Sequence, residues 1–388
     1  MRTTAGGADG EAVIAAAYEA RYERHPAAGR DTTALLAEAF AGALEEAGLT
    51  AADVDGLGVA SFSLQPDHAI DLCWRLGITV RWLMEDPHGG ASAVNLLQHA
   101  VRAVEAGDAE TIVLLAGDHL DRAAFARLVR QYNRATAEQL VPLGYPGPNA
   151  LFAMLTTRYG EAHGLDREDL GCVPVAQRAW AGRNPGAVYR APLSFEEYLA
   201  APPVATPLTR YDCVPVVAGA DAIVVTRRER AAGPTVRVRA IAQLHNDDQQ
   251  QDDRLRSGFA TLAPDLWRTA GVGPEDVDAA YVYDDYPVMA VVQAADLGLV
   301  PGGDLRRWLR RTLVEEAWPL NTSGGQLSAG QAGAAAGLHG VVEAVQQLRG
   351  RAGERQVPAC ELAVVTGYGM VLYRHGACHG AAVLERLS

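Results

Sequence analysis

The chain has 388 residues, 49% of them hydrophobic and 21% charged, which suits a globular protein with a large core, built as one big unit or two fused halves. A net charge of −13 argues against a nucleic-acid or anionic-membrane surface. Every residue in the Lys+Arg count of 34 is Arg, which excludes a lysine Schiff base and a P-loop phosphate lysine.

No apolar run reaches the roughly 20 residues needed to span a bilayer. The opening MRTTAGGADGEAVIAAAYEARYERH lacks the basic-then-apolar order of a signal peptide. Five scattered cysteines, Cys73, Cys172, Cys213, Cys360 and Cys378, fit a reducing compartment and not a disulfide framework. A cytoplasmic protein is expected.

In chain order, Ala12-Val-Ile14 reads as a strand entering a sheet. Thr32 to Gly48 is an amphipathic helix with Leu35, Leu36, Ala39, Phe40 and Leu44 on one face and a glycine stop. Asp55 to Ala60 is the next strand, and a helix-like stretch at 65–76 leads to Gly77-Ile-Thr-Val80. Gly89-Gly-Ala-Ser-Ala93 then opens a helix with Val94, Leu97, Val101 and Val104 on one face; Gly107 ends it, and Glu110 to Ala116 is a buried strand. From Asp118 to about Gly160 the sequence turns polar, aromatic and Pro/Gly-containing, as an excursion over a surface or pocket would. Asp166 is a candidate N-cap of a further helix, and Ala191 to Pro207 is a Pro-rich connector. Gly219 to Val225 closes a first half (1–230, its excursion at about 118–210); Arg227 to Pro234 links it to a second half (235–388) that begins with the strand Thr235 to Ile241. The polar run His245 to Arg256 is expected to be a solvated loop.

Leu320 to Gly337, LNTSGGQLSAGQAGAAAG, is almost free of charge and feeds a helix carrying Leu338, Val341, Val342, Val345 and Leu348. The strand Leu362 to Val365 follows and ends at Gly367-Tyr-Gly-Met370. A Gly-rich turn lets the backbone approach a ligand, and the free N–H groups of the next helix suit an oxyanion or thioester carbonyl. The order Gly turn, apolar helix, Gly, strand, Gly occurs at 89–117 and again at 324–367. Alternating strands and helices in both halves argue for an α/β fold.

Five landmarks carry a resemblance to a known family. The nucleophile loop corresponds to Gly90-Ala-Ser92-Ala93, and a connection to Asp212-Cys-Val-Pro215 with Gly219-Ala-Asp-Ala222. The Asn-Glu-Ala-Phe motif falls at Tyr283-Asp284-Asp285-Tyr286. The Gly-His-Pro-x-Gly motif falls at Gly330-Gln331-Ala332-Gly333 after Asn321 to Gly325, and the Cys-x-Gly motif at Val365-Thr-Gly367-Tyr368-Gly369. In this order they resemble the thiolase superfamily, in particular its sterol-carrier-type, lipid-transfer-like branch, and the resemblance covers nearly the whole chain. It implies two βαβαβαββ halves in a five-layer α/β/α/β/α arrangement, a homodimer, a coenzyme A thioester as substrate with no bound cofactor, and a small OB-fold/zinc-ribbon partner.

The departures decide the chemistry. Gly90 stands for the nucleophile, Gln331 for the histidine and Val365 for the acid/base cysteine, so an acyl-cysteine route is not expected. Helix N-termini at Ser92 and around Gly333, with the Gln331 amide, are expected to hold an enolate oxygen. The glycines Gly90, Gly325, Gly330, Gly333, Gly367 and Gly369 are expected to contact substrate. Asp284 or Asp285, Tyr286, Tyr368 and His88 are the candidate proton carriers, and adjacent carboxylates on a strand end point to opposite sides. His375-Gly-Ala-Cys378-His379 matches no zinc spacing, so no metal is expected. The dinucleotide fingerprint is missing. Retro-aldol cleavage of a β-hydroxyacyl-CoA fits best. A direct acyltransferase or condensing enzyme, and a catalytically silent partner or lipid carrier, are the alternatives.

Overall fold

A computed structural model describes residues 10–64, 68–144, 147–247, 255–372 and 376–387. The first half runs β1 (Ala12–Glu23), α1 (Thr32–Ala47), β2 (Gly56–Ala60), α2 (His68–Leu76), β3 (Trp82–Glu85), α3 (Ser92–Ala106) and β4 (Thr111–Asp118). A long helical insertion follows: α4 (Arg122–Arg130), α5 (Pro148–His163), α6 (Arg167–Ala181), α7 (Phe195–Ala200) and the small hairpin β5 (Pro203–Ala205) with β6 (Leu208–Thr209). The chain re-enters the sheet as β7 (Ala218–Arg227). Then come β8 (Thr235–His245), α8 (Phe259–Ala270), β9 (Ala279–Tyr281), α9 (Pro287–Asp296), α10 (Leu305–Arg307), α11 (Gly325–Ala329), α12 (Ala336–Leu348), β10 (Leu362–Val371) and β11 (Gly376–Leu387).

The strands form one sheet in the order β3-β2-β4-β7-β1-β8-β11-β10-β9. Its two sides mirror one another. On one side β3, β2 and β4 are parallel and β7 and β1 antiparallel. On the other, Leu320 bridges Ala280 in parallel, β9 and β10 are parallel, and β11 and β8 are antiparallel. The two sides meet at β1 and β8 through only Val13↔Arg237 and Ile14↔Val236.

The layers follow from side-chain alternation along buried strands. On β4, Ile112 and Leu114 face one way and Val113 and Leu115 the other; on β10, Ala363 and Val365 oppose Val364. Ile112, Leu114, Ala363 and Val365 all join a central core with α3 and α12. Val113 and Leu115 pack under α1 and α2, while Val364 packs under α8 and α9. The result is α/β/α/β/α, with α3 and α12 between the sheet faces. A helix apolar nearly all round belongs inside, and α12 buries eleven residues from Ala336 to Leu348.

Local signals explain most boundaries. Asp31 caps α1 through the Ala34 N–H, and Gly48 ends it at φ 70°. Asp166 and Asp169 form the capping box of α6. β1 is much longer than Ala12 to Ile14 suggests, because Glu19, Arg21 and Glu23 interrupt its apolar run. The strand after α2 is Trp82–Glu85, past Gly77 to Val80. The 118–160 excursion carries α4 and most of α5, and of the polar segment 245–256, residues 248–254 lie outside the described residues.

One crossing sets the position of everything downstream. A Cβ on Gly337, in the first turn of α12, would lie 2.5 Å from the Gly90 carbonyl oxygen. Gly337→Ala gains roughly 1 kcal/mol of helix propensity but has to push α12 off the loop before α3. Overpacking costs typically about 1–3 kcal/mol, so the variant should be less stable than the parent in urea denaturation, not more.

Candidate active site

Gly90 sits in the turn Gly89–Ala91 that opens α3. There is no room for a side chain on it. A Cβ would lie 2.2 Å from Tyr283 Cε2, and 2.4 Å from both Tyr283 Cζ and the Tyr368 carbonyl oxygen. The Tyr283 ring therefore fills the space that a residue-90 nucleophile would need. Its backbone is clamped: the Tyr283 N–H donates to Thr366 Oγ1 (3.0 Å), and Gln293 Nε2 donates to the Tyr283 carbonyl (2.6 Å).

Tyr283 borders a cavity of about 300 Å³. Gly90, Asp285, Tyr286, Gln331, Gly333, Tyr368 and Gly369 share that wall. Tyr368, on β10, lies nearly parallel to Tyr283, with ring centroids 6.3 Å apart; the His379 ring meets Tyr368 edge-on at 5.3 Å. Tyr286 donates to Asn149 Oδ1 (2.6 Å) and stacks on Phe152 at 4.3 Å. The apolar remainder is supplied largely by the insertion: Phe125, Leu128 and Val129 of α4, and Phe152 of α5. Gln331 is fixed by its backbone, which bridges Val216 between the Pro215 carbonyl (2.9 Å) and the Val217 N–H (3.1 Å), and its side chain hydrogen-bonds Tyr283.

The two carboxylates after β9 do point to opposite sides. Asp285 faces the cavity, and Tyr283 Oη donates to its Oδ2 at 3.2 Å. Oriented by its neighbours, the Gln326 amide donates to Asp285 Oδ1 (2.8 Å) and accepts from the Asp284 N–H (3.3 Å). Asp284 turns inward and accepts the Gln326 N–H (3.0 Å) and Leu327 N–H (3.5 Å) at the start of α11. It acts as a helix cap. Burial pushes Asp285 up to about 7, with the Asp284 charge adding to it. Burial also lifts Asp284 to about 7, against the α11 amides that favour its ionised form. Burial, then the charge of Asp285, hold the Tyr283 phenol well above its ordinary value.

Several expected residues lie elsewhere. His88 is half-exposed, pairs with Asp86 (Nδ1 to Oδ1, 2.8 Å) and stacks on His245 at 6.0 Å, away from the cavity wall. Ser92 spends its hydroxyl on the Asp86 carbonyl (3.0 Å). Gly325 lies under Asp284, Gly330 against Val217, and Gly367 against the Gly90 carbonyl. The helix-end amide near Gly333 is also taken: Ala334 N–H donates to the buried Asp118 Oδ2 at 2.7 Å. Asp118 Oδ1 meanwhile accepts from Ser61 (2.8 Å) and Ser63 (2.6 Å). Polar donors toward the cavity are thus phenols and the Gln331 amide more than helix ends. His375 lies outside the described residues, and His379 packs behind Tyr368.

Sequence reasoning missed Tyr283, Tyr132, Asn149 and Cys213 on the wall. Tyr283 had a signal, since it opens the Tyr-Asp-Asp-Tyr motif, but its ring reads equally well as the end of a buried strand. Tyr132 and Asn149 come from the insertion, where spacing carries no information about which side chains turn inward.

Residues 240–385 match the family model "Thiolase C-terminal domain-like". The chain is 31% identical over 347 residues to the 17-hydroxy-3-oxo-4-pregnene-20-carboxyl-CoA lyase of Mycobacterium tuberculosis, covering 83% of this chain and 88% of that one. It belongs to the thiolase superfamily, in its sterol-carrier, lipid-transfer-like branch, and is a thiolase-like lyase. It is also 28% identical over 390 residues to the steroid side-chain-cleaving aldolase of Thermomonospora curvata, covering 93% and 96% of the two chains. Among solved structures it is similar to an Ltp2-ChsH2(DUF35) aldolase, with a TM-score of 0.82 and 26% identity over 98% of each chain.

Two outcomes follow from this geometry. Gly90→Cys should not gain acyl-cysteine chemistry, because the ring of Tyr283 stands in the way; intact-protein mass spectrometry after incubation with acyl-CoA should show no adduct. Asp285 has a folded-state pKa near 7 against about 4 unfolded. The folded state therefore binds the extra proton between those values, a contribution fully present below about pH 4 and lost as pH rises through 7. Asp285→Asn should flatten this decline, so that in thermal melts it gains on the parent more at pH 8 than at pH 5.

Proposed function

We propose that this chain cleaves a β-hydroxyacyl-CoA thioester by a retro-aldol reaction, without a covalent acyl-enzyme. The observation that carries the reading is the Tyr283 ring in the space of the residue-90 side chain, next to a carboxylate that titrates near neutrality. A base poised near the working pH is the efficient one. Ionised Asp285, acting directly or through Tyr283, takes the β-hydroxyl proton. The new carbonyl forms as the Cα–Cβ bond breaks, and that electron pair moves onto the thioester as an enolate. Tyr368 and the Gln331 amide donate to the enolate oxygen, where each preorganised donor is worth about 10²–10³ in rate. The α-carbon then takes one proton from the Tyr283–Asp285 pair, so the proton removed at the hydroxyl is returned. The products are an aldehyde or ketone and a shortened acyl-CoA. The step is redox-neutral and needs no redox cofactor.

The relatives named for steroid substrates, and the apolar walls from Phe62, Leu128, Val129, Phe152 and Met289, support a bulky carbonyl product. A DUF35-type partner subunit is supported by the similar aldolase complex. A homodimer is supported by the edge of β3, unpaired among the described residues, with exposed Ile70, Trp74 and Leu83 beside it. No helix among the described residues is long and apolar enough to cross a membrane, and the free, mostly buried cysteines support a cytoplasmic location.

The test is incubation with a series of β-hydroxyacyl-CoAs, with and without a DUF35-type partner, reading released carbonyl and shortened acyl-CoA by liquid chromatography and mass spectrometry. Cleavage is expected. Tyr283→Phe and Asp285→Asn should each lower kcat by about 10²–10⁴. Absence of cleavage across the series in both arms, or full activity in these variants, overturns the proposal.

A further inference from the structure

Outside the catalytic cavity, three ionisable side chains from distant parts of the chain converge in the interior. Glu19 on β1 and Asp221 on β7 are direct cross-strand partners. Like charges so placed repel unless something stands between them. His339, on α12, reaches the same spot, and one ligating atom from each of the three lies within 4.8 Å of the others.

The surroundings orient this set. His339 Nε2 and Ser323 Oγ are 2.8 Å apart, which leaves Nδ1 to face Glu19 Oε2 at 2.7 Å. Tyr22 Oη donates to Asp221 Oδ2 at 2.8 Å. The other oxygen, Asp221 Oδ1, is buried and finds no hydrogen-bond partner among the described residues, on a residue that is 0% exposed. A buried carboxylate oxygen without a donor is costly, and native structures rarely leave one. This is the pattern of a coordinating set: an imidazole whose second nitrogen is held, a carboxylate whose second oxygen is held, and a lone pair left over.

We propose that Glu19, Asp221 and His339 form a binding site for one divalent transition-metal ion, for which zinc is the reference probe. One imidazole nitrogen and two carboxylate oxygens make a three-ligand set with a fourth position for water. The imidazole favours a first-row transition ion over calcium or magnesium, which take six or more oxygens. Ligands about 2.1 Å from a tetrahedral ion lie roughly 3.4 Å apart. Glu19 therefore has to withdraw from His339 by less than ~1 Å. Its side chain is 21% exposed, so it has the freedom to move and gives the ion a way in. The ion ties β1, β7 and α12 together, and through Ser323 it braces the turn beneath Asp284. No spacing rule finds such a site, because its ligands come from three separate segments.

The site stands apart from the retro-aldol reading, and so does its test. Full-length protein is stripped with a chelator and titrated with zinc against a chromophoric competitor and by calorimetry. One ion per chain is expected, with at least tenfold weaker binding in Asp221→Asn and in Glu19→Gln. The thermal midpoint should rise with zinc in the parent and not in the variants. X-ray absorption of the loaded protein should show a single imidazole among light-atom ligands. Should Asp221→Asn fail to fold, Glu19→Gln, at the more exposed end of the site, decides alone. Lack of saturable binding, or equal binding in the parent and Glu19→Gln, overturns the proposal.

Discussion

The structure turns on a steric exchange between two residues far apart in sequence. Gly90 has no side chain, and Tyr283 puts its ring where one would be. Either residue alone would leave a hole or a clash; a thiol and this ring cannot both occupy the site. The same glycine is pressed from another side by Gly337 of α12, so the loop before α3 has backbone on one face and a phenol on the other. Dense packing of this kind transmits constraint. It fixes Tyr283 beside Asp285 and Gln331 instead of leaving it to swing.

The electrostatics follow from that placement. Two adjacent acids serve different ends because the chain beyond β9 sends them apart: Asp284 caps the short helix α11, and Asp285 looks into the cavity. Burial makes both harder to ionise, and the Asp284 charge adds to the effect on Asp285, which brings Asp285 into the range where a proton carrier is useful. Asp118 does a third job. It ties the serine loop after β2 to the first amides leading into α12, which removes from the cavity a helix end that would otherwise hold an anion. In the proposed mechanism, charge on the developing enolate thus falls to neutral donors, the Tyr368 phenol and the Gln331 amide.

Much of the architecture was legible because buried strands and helices announce themselves. The runs at Thr111 to Ala116 and Leu362 to Val365 are continuous and apolar, and Gly48 and Gly107 mark helix ends by needing positive φ. The twofold recurrence of turn, helix and strand pointed to a repeat, and the strand order is mirrored about β1 and β8. The motif positions brought Gly90, Asp285, Tyr286, Gln331, Gly333, Tyr368 and Gly369 to one cavity. What spacing left undecided was direction. It did not say that Asp284 turns inward, that His88 turns to Asp86, or that Tyr283 and not a helix end fills the nucleophile's place. Those outcomes depend on packing that spacing does not encode, and the last, Gly90 against Tyr283, joins residues more than a hundred positions apart.

On the proposed mechanism this cavity supports an enolate without ever bonding the acyl group to the protein. Turnover of a β-hydroxyacyl-CoA in deuterium oxide, with mass spectrometry of product and protein together, measures both halves of it. The expected result is a shortened acyl-CoA carrying one deuterium on the α-carbon and a protein of unchanged mass throughout. An acylated protein during turnover, or a product without deuterium, would contradict it.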